Sequence, residues 1–461
     1  MTVDLVLKGG KIATPTGIVE AGIAVDGSKI VALSKETRLP KANKVLNVRG
    51  LLVLPGLIDA HVHLCDPGFI RESFETGTKA AAAGGFTTVI DMASSMELRT
   101  STVDMFLKKK ELGERESYMD FAMYGGEISD ERDLTEIRGI VEAGAVGFGE
   151  IMMAGDTPVK NDEILLEAFC LISKEESIAA VHAEDNAALS YCKNKLISEG
   201  RKDIKAFADA RPSLAEAEAI SKTLLLAKET GVRLHICHLT TREGSDLIRR
   251  SKALGSRVTT EVCPHHLYFT RADYEKLGPL IITTPPLRSK DDVDELWRSL
   301  NDGNINLLVS DHCAFKKNEK EIGWKDVWKT PPGIPGLETL AFIMLGKAVR
   351  KGWIKLERFV EVTSMNPAKI FGLYPKKGCL LPGADADFTV VDMKKDFKIS
   401  SKDLKCVSDY TPYEGWAVKG GPVMTIVRGE IIAENGEIVG KTGYGRFVPT
   451  TTRRRHTQSW D

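Results

Sequence analysis

The chain has 461 residues, 63 lysines and arginines against 64 aspartates and glutamates, and a hydrophobic content of 43%. That balance gives no footing for a nucleic-acid or other polyanionic partner, and the length allows two or three domains, one of them a barrel. The N-terminus has no basic region followed by an apolar core, no apolar run approaches the ~18 residues that span a bilayer, and the eight cysteines form no CxxC pair, so a soluble cytoplasmic protein with reduced thiols is expected.

Short alternating segments open the chain: "DLVLKGGKIAT", "AGIAVDGSKIVALS" and "KVLNVRG", separated by glycine-rich turns. They read as strands of a small β-sandwich. The same texture returns near the end in "DFTVVDM" and "PVMTIVRGEIIAENGEIVG". Two strand-rich ends around a different middle predict one discontinuous domain, residues 1–54 and 376–448, with residues 55–375 inserted. Residues 449–461, with the run "RRR", read as an exposed tail.

The middle alternates strand and helix. Eight strand candidates fall at 57–64, 86–92, 118–126, 145–151, 177–185, 233–240, 257–267 and 305–313, with helical stretches such as "SLAEAEAISKTLLLAKETG" between them. This pattern predicts an α/β fold with a (β/α)8 TIM-like barrel. A doubly wound open sheet is the runner-up; no GxGxxG follows any strand, so a dinucleotide site has no support.

Most of the nine histidines sit near the C-terminal ends of these strands. In "DAHVHL", His61 and His63 are two apart and point to one face of a strand. His182 ends "AAVHA", His238 ends "HICHL" and Asp311 ends "LLVSD". Barrel active sites lie at strand C-termini, so five candidate ligands from four strands converge on one mouth. Imidazole with carboxylate suits zinc and related divalent ions. Taken singly, His182 or His238 reads as a core histidine. It is the conjunction that points to a metal. His235 reads as structural, His265 and His266 as either packing or substrate-side, and His312 as an orienting partner of Asp311. His456 in the tail has no site reading.

These residues resemble the amidohydrolase superfamily, in particular its cyclic amidohydrolases: hydantoinase and dihydropyrimidinase, allantoinase, and dihydroorotase. The segments "PGLIDAHVHLCDPG", "GTKAAAAGGFTTVIDM", "VHAED", "CHLTT", "EVCPHHL", "PPLR" and "SDHCAF" match in order along nearly the whole chain. The resemblance implies a metal-bearing barrel with a sandwich built from both chain ends, and hydrolysis of a small cyclic amide. It also implies a homo-oligomer, dimer or tetramer. By motif, His61, His63, His182 and His238 are metal ligands, and Asp311 is both ligand and proton shuttle.

One departure concerns the fourth strand. The family usually carries there, in a "GFK" context, a lysine carbamylated to bridge two metals. Here the stretch "AVGFGEIMM" places Gly149 at the lysine position and Glu150 next. A carboxylate buried among apolar residues needs a positive neighbour, and Glu150 can stand in for the carbamate if the strand bulges by one residue, which flanking glycines permit. The alternative is that Glu150 points away to a lysine or arginine. A carbamylated lysine is not expected. Zinc, one ion or two, is the expected metal, with manganese or cobalt as alternatives.

The substrate side departs too. Dihydroorotases hold a substrate carboxylate with an arginine and an asparagine at positions that here are Cys65 and Ser94, which argues against a dihydroorotase. The segments "WKTPPGIPG", "DYTPYEGWAVKG" and "GRFV" lean towards the hydantoinase and dihydropyrimidinase branch, with allantoinase open. That branch's oxyanion-donating tyrosine aligns with Ala154 and an asparagine with Pro332. Cys65, Thr284 and Arg288 are the expected pocket residues. Arg71 reads more readily as a surface ion-pair partner. The expected mechanism is metal-assisted hydrolysis with Asp311 as base, then acid. The rival reading is a non-catalytic barrel homologue serving as a scaffold subunit.

Overall fold

The computed structural model describes residues 2–65, 72–93, 99–155 and 157–450. The N-terminal strands are β1 (Thr2–Lys8), β2 (Lys11–Thr14), β3 (Gly17–Glu20), β4 (Gly22–Asp26), β5 (Lys29–Ser34), β6 (Lys41–Asn47) and β7 (Leu52–Pro55). Eight barrel strands follow: β8 (Leu57–Val62), β9 (Phe86–Asp91), β10 (Asp120–Met123), β11 (Phe148–Met152), β12 (Ile178–His182), β13 (Arg233–Ile236), β14 (Val258–Val262) and β15 (Leu307–Leu308). The chain then forms β16 (Phe388–Lys398), β17 (Ala417–Val427), β18 (Glu430–Glu434) and β19 (Glu437–Ile438).

The two chain ends meet in one sheet of order β19-β18-β17-β16-β7-β2-β3, where β16 pairs antiparallel with β7 (Phe388 opposite Pro55). A second sheet, β5-β4-β1-β6, packs against it. Leu5, Leu7, Ile23 and Val25 of the second sheet share a buried cluster with Val53, Phe388 and Val390 of the first. Along β1, Leu5, Val6 and Leu7 are all buried: Leu5 and Leu7 enter this cluster, and Val6 enters another with Val3 and Ala24.

Every barrel pairing is parallel. The ring closes between β10 and β11 through Gly125 and Phe148, and between β15 and β8 through Val62 and His312. Strands such as β8 and β9 are buried throughout, as expected when helices cover one face and a filled barrel interior the other. Ile58, Ala60, Ile90, Ala122, Val146, Ala180, Cys237, Cys263 and Val309 form that interior. The chain end returns to the barrel, with Phe121 N–H donating to the Arg446 carbonyl and Val448 N–H to that of Phe121.

All eight barrel strands are shorter than the spans the sequence suggests, the seventh and eighth by the most. The seventh stops at Val262, because Pro264 opens a helical turn, Pro264–Tyr268, and proline favours a first helical turn. The eighth keeps only Leu307 and Leu308 in regular pairing, since the backbone turns at Asp311, whose φ is 49°. Among the described residues no helix is long and apolar enough to cross a membrane.

Candidate metal centre

The HxH pair lies at the end of β8 and just beyond. His61 is fully buried and His63 partly so, and their Nε2 atoms face each other at 3.3 Å. Asp311 Oδ1, from the loop after β15, lies 3.4 Å from each. His182, the last residue of β12, and His238, two residues past β13, bring Nδ1 and Nε2 within 3.1 Å of each other. His238 and Asp311 both have positive φ, 30° and 49°. That region is sparsely populated by residues other than glycine and recurs at functional sites.

Glu150 joins the two halves. Its Oε1 lies 2.6 Å from His238 Nε2, and 3.8 Å from both His61 Nε2 and His182 Nδ1. Its Oε2 lies 3.9 Å from His63 Nε2. Two groups of potential metal ligands therefore share one carboxylate: His61, His63 and Glu150, and Glu150, His182 and His238. The strand bulges to allow it. Phe148 pairs with Ala179 and Ile151 with Val181, so three residues of β11 advance against two of β12. This is the bulge that the flanking glycines suggested, and it turns Glu150, not Gly149, towards the histidines.

The distal ring nitrogens are held from behind. Glu261 Oε1 lies 2.5 Å from His61 Nδ1, and its Oε2 lies 3.0 Å from His235 Nε2. Glu184 Oε2 lies 2.9 Å from His182 Nε2 and pairs with Arg211. Such carboxylate–imidazole contacts fix tautomer and ring orientation in metal sites. Asp59, also buried, accepts from the backbone N–H groups of His61 and Ser310 and so ties β8 to the segment carrying Asp311.

The field at the centre favours cations. Burial alone would lower the His61 imidazole, but Glu261, Glu150 and Asp311 outweigh it and raise it to about 9. His182 is likewise pushed down by burial and raised overall to about 9, by Glu150 and Glu184. Burial raises the Glu150 carboxyl, yet His238 and His61 hold it well below the usual range. Four imidazoles and two carboxylates, aimed at one another in a field that stabilises positive charge, fit divalent metal.

Glu261 and Glu184 escape the histidine-based reading, although signals for both exist. Glu184 is two residues after His182, and Glu261 is an acid within the apolar stretch "TTEVC", the same anomaly that marks Glu150. His235, read as structural, sits behind the centre through Glu261. His312 Nε2 lies 3.1 Å from the buried Glu72, and its Nδ1 accepts from Gly336 N–H.

The expected pocket residues sit in different local surroundings. Cys65 is half-buried beyond His63, with a φ of 55°, and burial pushes its thiol up to about 12. Thr284 is half-buried before a proline. Arg288 is 5% exposed and committed to protein: its guanidinium meets Glu216 at 3.0 Å, Thr240 Oγ1 at 2.9 Å and the Arg211 carbonyl. Ala154 packs with Leu189 and Ala215. Arg71, Ser94, His456 and the arginine run lie outside the described residues.

The Amidohydrolase family pattern matches residues 52–432. The chain belongs to this family. It is 38% identical to an L-hydantoinase of Paenarthrobacter aurescens over 99% of both chains. It is also 35% identical to a dihydroorotase of Methanosarcina acetivorans, over 98% of this chain and 96% of that one. The L-hydantoinase (dihydropyrimidinase) structure from Arthrobacter aurescens superposes with a TM-score of 0.93 at 38% identity, covering 97% of this chain and all of the other. For an amidohydrolase, the absent bridging lysine has a local cause. A Cβ at Gly149 would stand 2.6 Å from Ala180 Cβ and 3.0 Å from its carbonyl oxygen. No side chain fits at 149 on this backbone, and position 150 faces the ligands instead.

Proposed function

We propose that the protein opens the ring of a small neutral cyclic amide by metal-dependent hydrolysis, with hydantoin-like and dihydropyrimidine-like rings as the preferred class. The shared carboxylate carries this reading: Glu150 lies at the apex of two ligand groups, as a bridge between two divalent ions requires. Full-length similarity to an L-hydantoinase supports the substrate class. In this reading His61, His63 and Asp311 serve one ion, His182 and His238 the other, and Glu150 both. Zinc is the expected ion, with manganese or cobalt as alternatives.

When bound, divalent metal supplies Lewis acidity, polarising the amide carbonyl and making hydroxide available near neutral pH. The chain's own work is positioning and proton transfer. Glu261 and Glu184 hold the rings of His61 and His182, and Glu150 neutralises charge at the centre. Asp311, at the mouth, takes the proton of the attacking water and returns it to the departing nitrogen, which leaves poorly as an anion. A non-catalytic scaffold would not need six convergent donors backed by oriented carboxylates.

The test combines metal analysis with a screen of hydantoin, dihydrouracil, allantoin and dihydroorotate, each supplied with zinc, manganese or cobalt. Turnover of a neutral ring by protein carrying two ions supports the reading. Protein that takes up no divalent ion, or turns over none of the four, overturns it. Sedimentation of the active form tests the expected homo-oligomer.

A further inference from the structure

Cys263, His265 and His266 stand outside the six-donor centre, and the mechanism uses none of them. All three are buried, at 0%, 1% and 2% exposure. β14 ends at Val262, and the helical turn Pro264–Tyr268 folds the two histidines back beside the cysteine. One donor atom from each lies within 4.8 Å of the others.

Three of their four ring nitrogens lack hydrogen-bond partners among the described residues. Neither Nδ1 nor Nε2 of His265 makes a hydrogen bond among the described residues, and neither does His266 Nδ1. A buried polar atom left unsatisfied costs about 1–3 kcal/mol, so three in one cluster need an explanation such as a missing ligand. The tautomer of His266 supports a ligand too. Its Nε2 lies 3.2 Å from the Pro285 carbonyl oxygen and must donate to it, which leaves the lone pair on Nδ1. Metal-binding imidazoles commonly donate their second N–H to a carbonyl in this way. Burial also keeps both rings neutral, lowering His265 to about 4 and His266 well below its usual value.

We propose that Cys263, His265 and His266 form a separate site for a borderline-soft divalent ion such as zinc or cobalt, distinct from the centre organised by Glu150. One sulfur and two nitrogens suit such ions, and three protein donors leave a fourth position for water. Bonds of about 2.3 Å to sulfur and about 2.0 Å to nitrogen are within reach of small side-chain rotations from the observed spacing. On binding, the Cys263 S–H bond breaks, a metal–sulfur bond forms and one proton passes to solvent.

The sulfur distinguishes this site from the Glu150 centre, whose six donors are all nitrogen or oxygen. Full-length protein purified from cobalt-supplemented cells is expected to show thiolate-to-cobalt charge-transfer absorption. Cys263→Ser should lose that band and one cobalt per chain, while keeping the ligand-field absorption of the nitrogen–oxygen centre and near-parental turnover. Cys237→Ser, which removes the other buried thiol near the centre, should keep the band. Should Cys263→Ser fail to fold, His266→Ala provides the second variant and should lose the same equivalent of cobalt. A parent protein without thiolate absorption overturns the site, as does a band that survives in Cys263→Ser or disappears only in Cys237→Ser.

Discussion

Glu150 Oε1 lies 2.6 Å from His238 Nε2, while Oε2 of the same carboxylate comes within 3.9 Å of His63 Nε2, across the barrel mouth. One side chain thus touches both halves of the centre. Glu150→Gln keeps its shape and removes the charge that would offset two bound dications. The variant should hold one metal fewer than the parent. Its kcat/KM should fall more than about 100-fold, since even partners one layer behind a ligand are worth about 10–100-fold. Equal metal content and rate in both proteins would remove Glu150 from the centre.

Gly149 predicts the opposite kind of damage. A Cβ there meets Ala180 Cβ at 2.6 Å and backbone oxygen at 3.0 Å, and backbone cannot swing aside. Gly149→Ala should destabilise the protein by about 1–3 kcal/mol, the usual range for overpacking, as read from denaturation midpoints. Gly149→Lys should be worse, and bicarbonate should not rescue it. A fully stable, bicarbonate-activated Gly149→Lys protein would mean that the strand can shift its bulge.

The sequence pattern made the barrel legible because parallel strands buried on both faces read as apolar runs, and ligands at their ends read as interruptions of those runs. Glu150 was visible for that reason. Whether it or Gly149 faced the histidines was not, since that depends on how three residues of β11 register against two of β12. Glu261 carried a similar signal, but its role depends on a contact to His61 that is 200 residues distant in sequence. Arg288 reads as a pocket cation in the sequence, where spacing says nothing about Glu216, the buried carboxylate it pairs with.

Asp311→Asn separates ligation from proton transfer. The amide keeps an oxygen near His61 and His63 but cannot accept the proton of the attacking water. Metal content should stay near the parental value while kcat falls by about 10²–10⁴-fold, the usual contribution of general acid–base catalysis. A near-normal kcat would assign the proton shuttle elsewhere.

Arg288→Ala tests whether that guanidinium serves substrate or scaffold. It is held by Glu216, whose Oε1 also accepts from the backbone N–H groups of Thr240 and Thr241, just after His238. Removing the cation leaves a buried carboxylate unpaired, a loss of about 3–5 kcal/mol in comparable pairs. The expected result is a lowered denaturation midpoint, accompanied by weaker metal retention if the loop carrying His238 shifts. Unchanged stability with a raised KM alone would place Arg288 in the substrate pocket.

The final prediction concerns charge on the substrate. Dihydroorotate carries a carboxylate, and its recognition calls for a bidentate cation near the HxH pair. Cys65 stands two residues past His63, and its thiol, raised to about 12 by burial, stays neutral at physiological pH. The buried cation that bears on it, Lys109, forms an ion pair with Asp91 at 2.5 Å. A free substrate carboxylate would therefore meet a neutral thiol, with no arginine at position 65 to pair with it. Neutral rings need no such partner. In side-by-side assays with the same metal, kcat/KM for hydantoin or dihydrouracil should exceed that for dihydroorotate by at least about tenfold, equivalent to about 1.4 kcal/mol. A preference for dihydroorotate would show that a cation outside the described residues reaches the substrate, and would move the assignment towards the dihydroorotase branch.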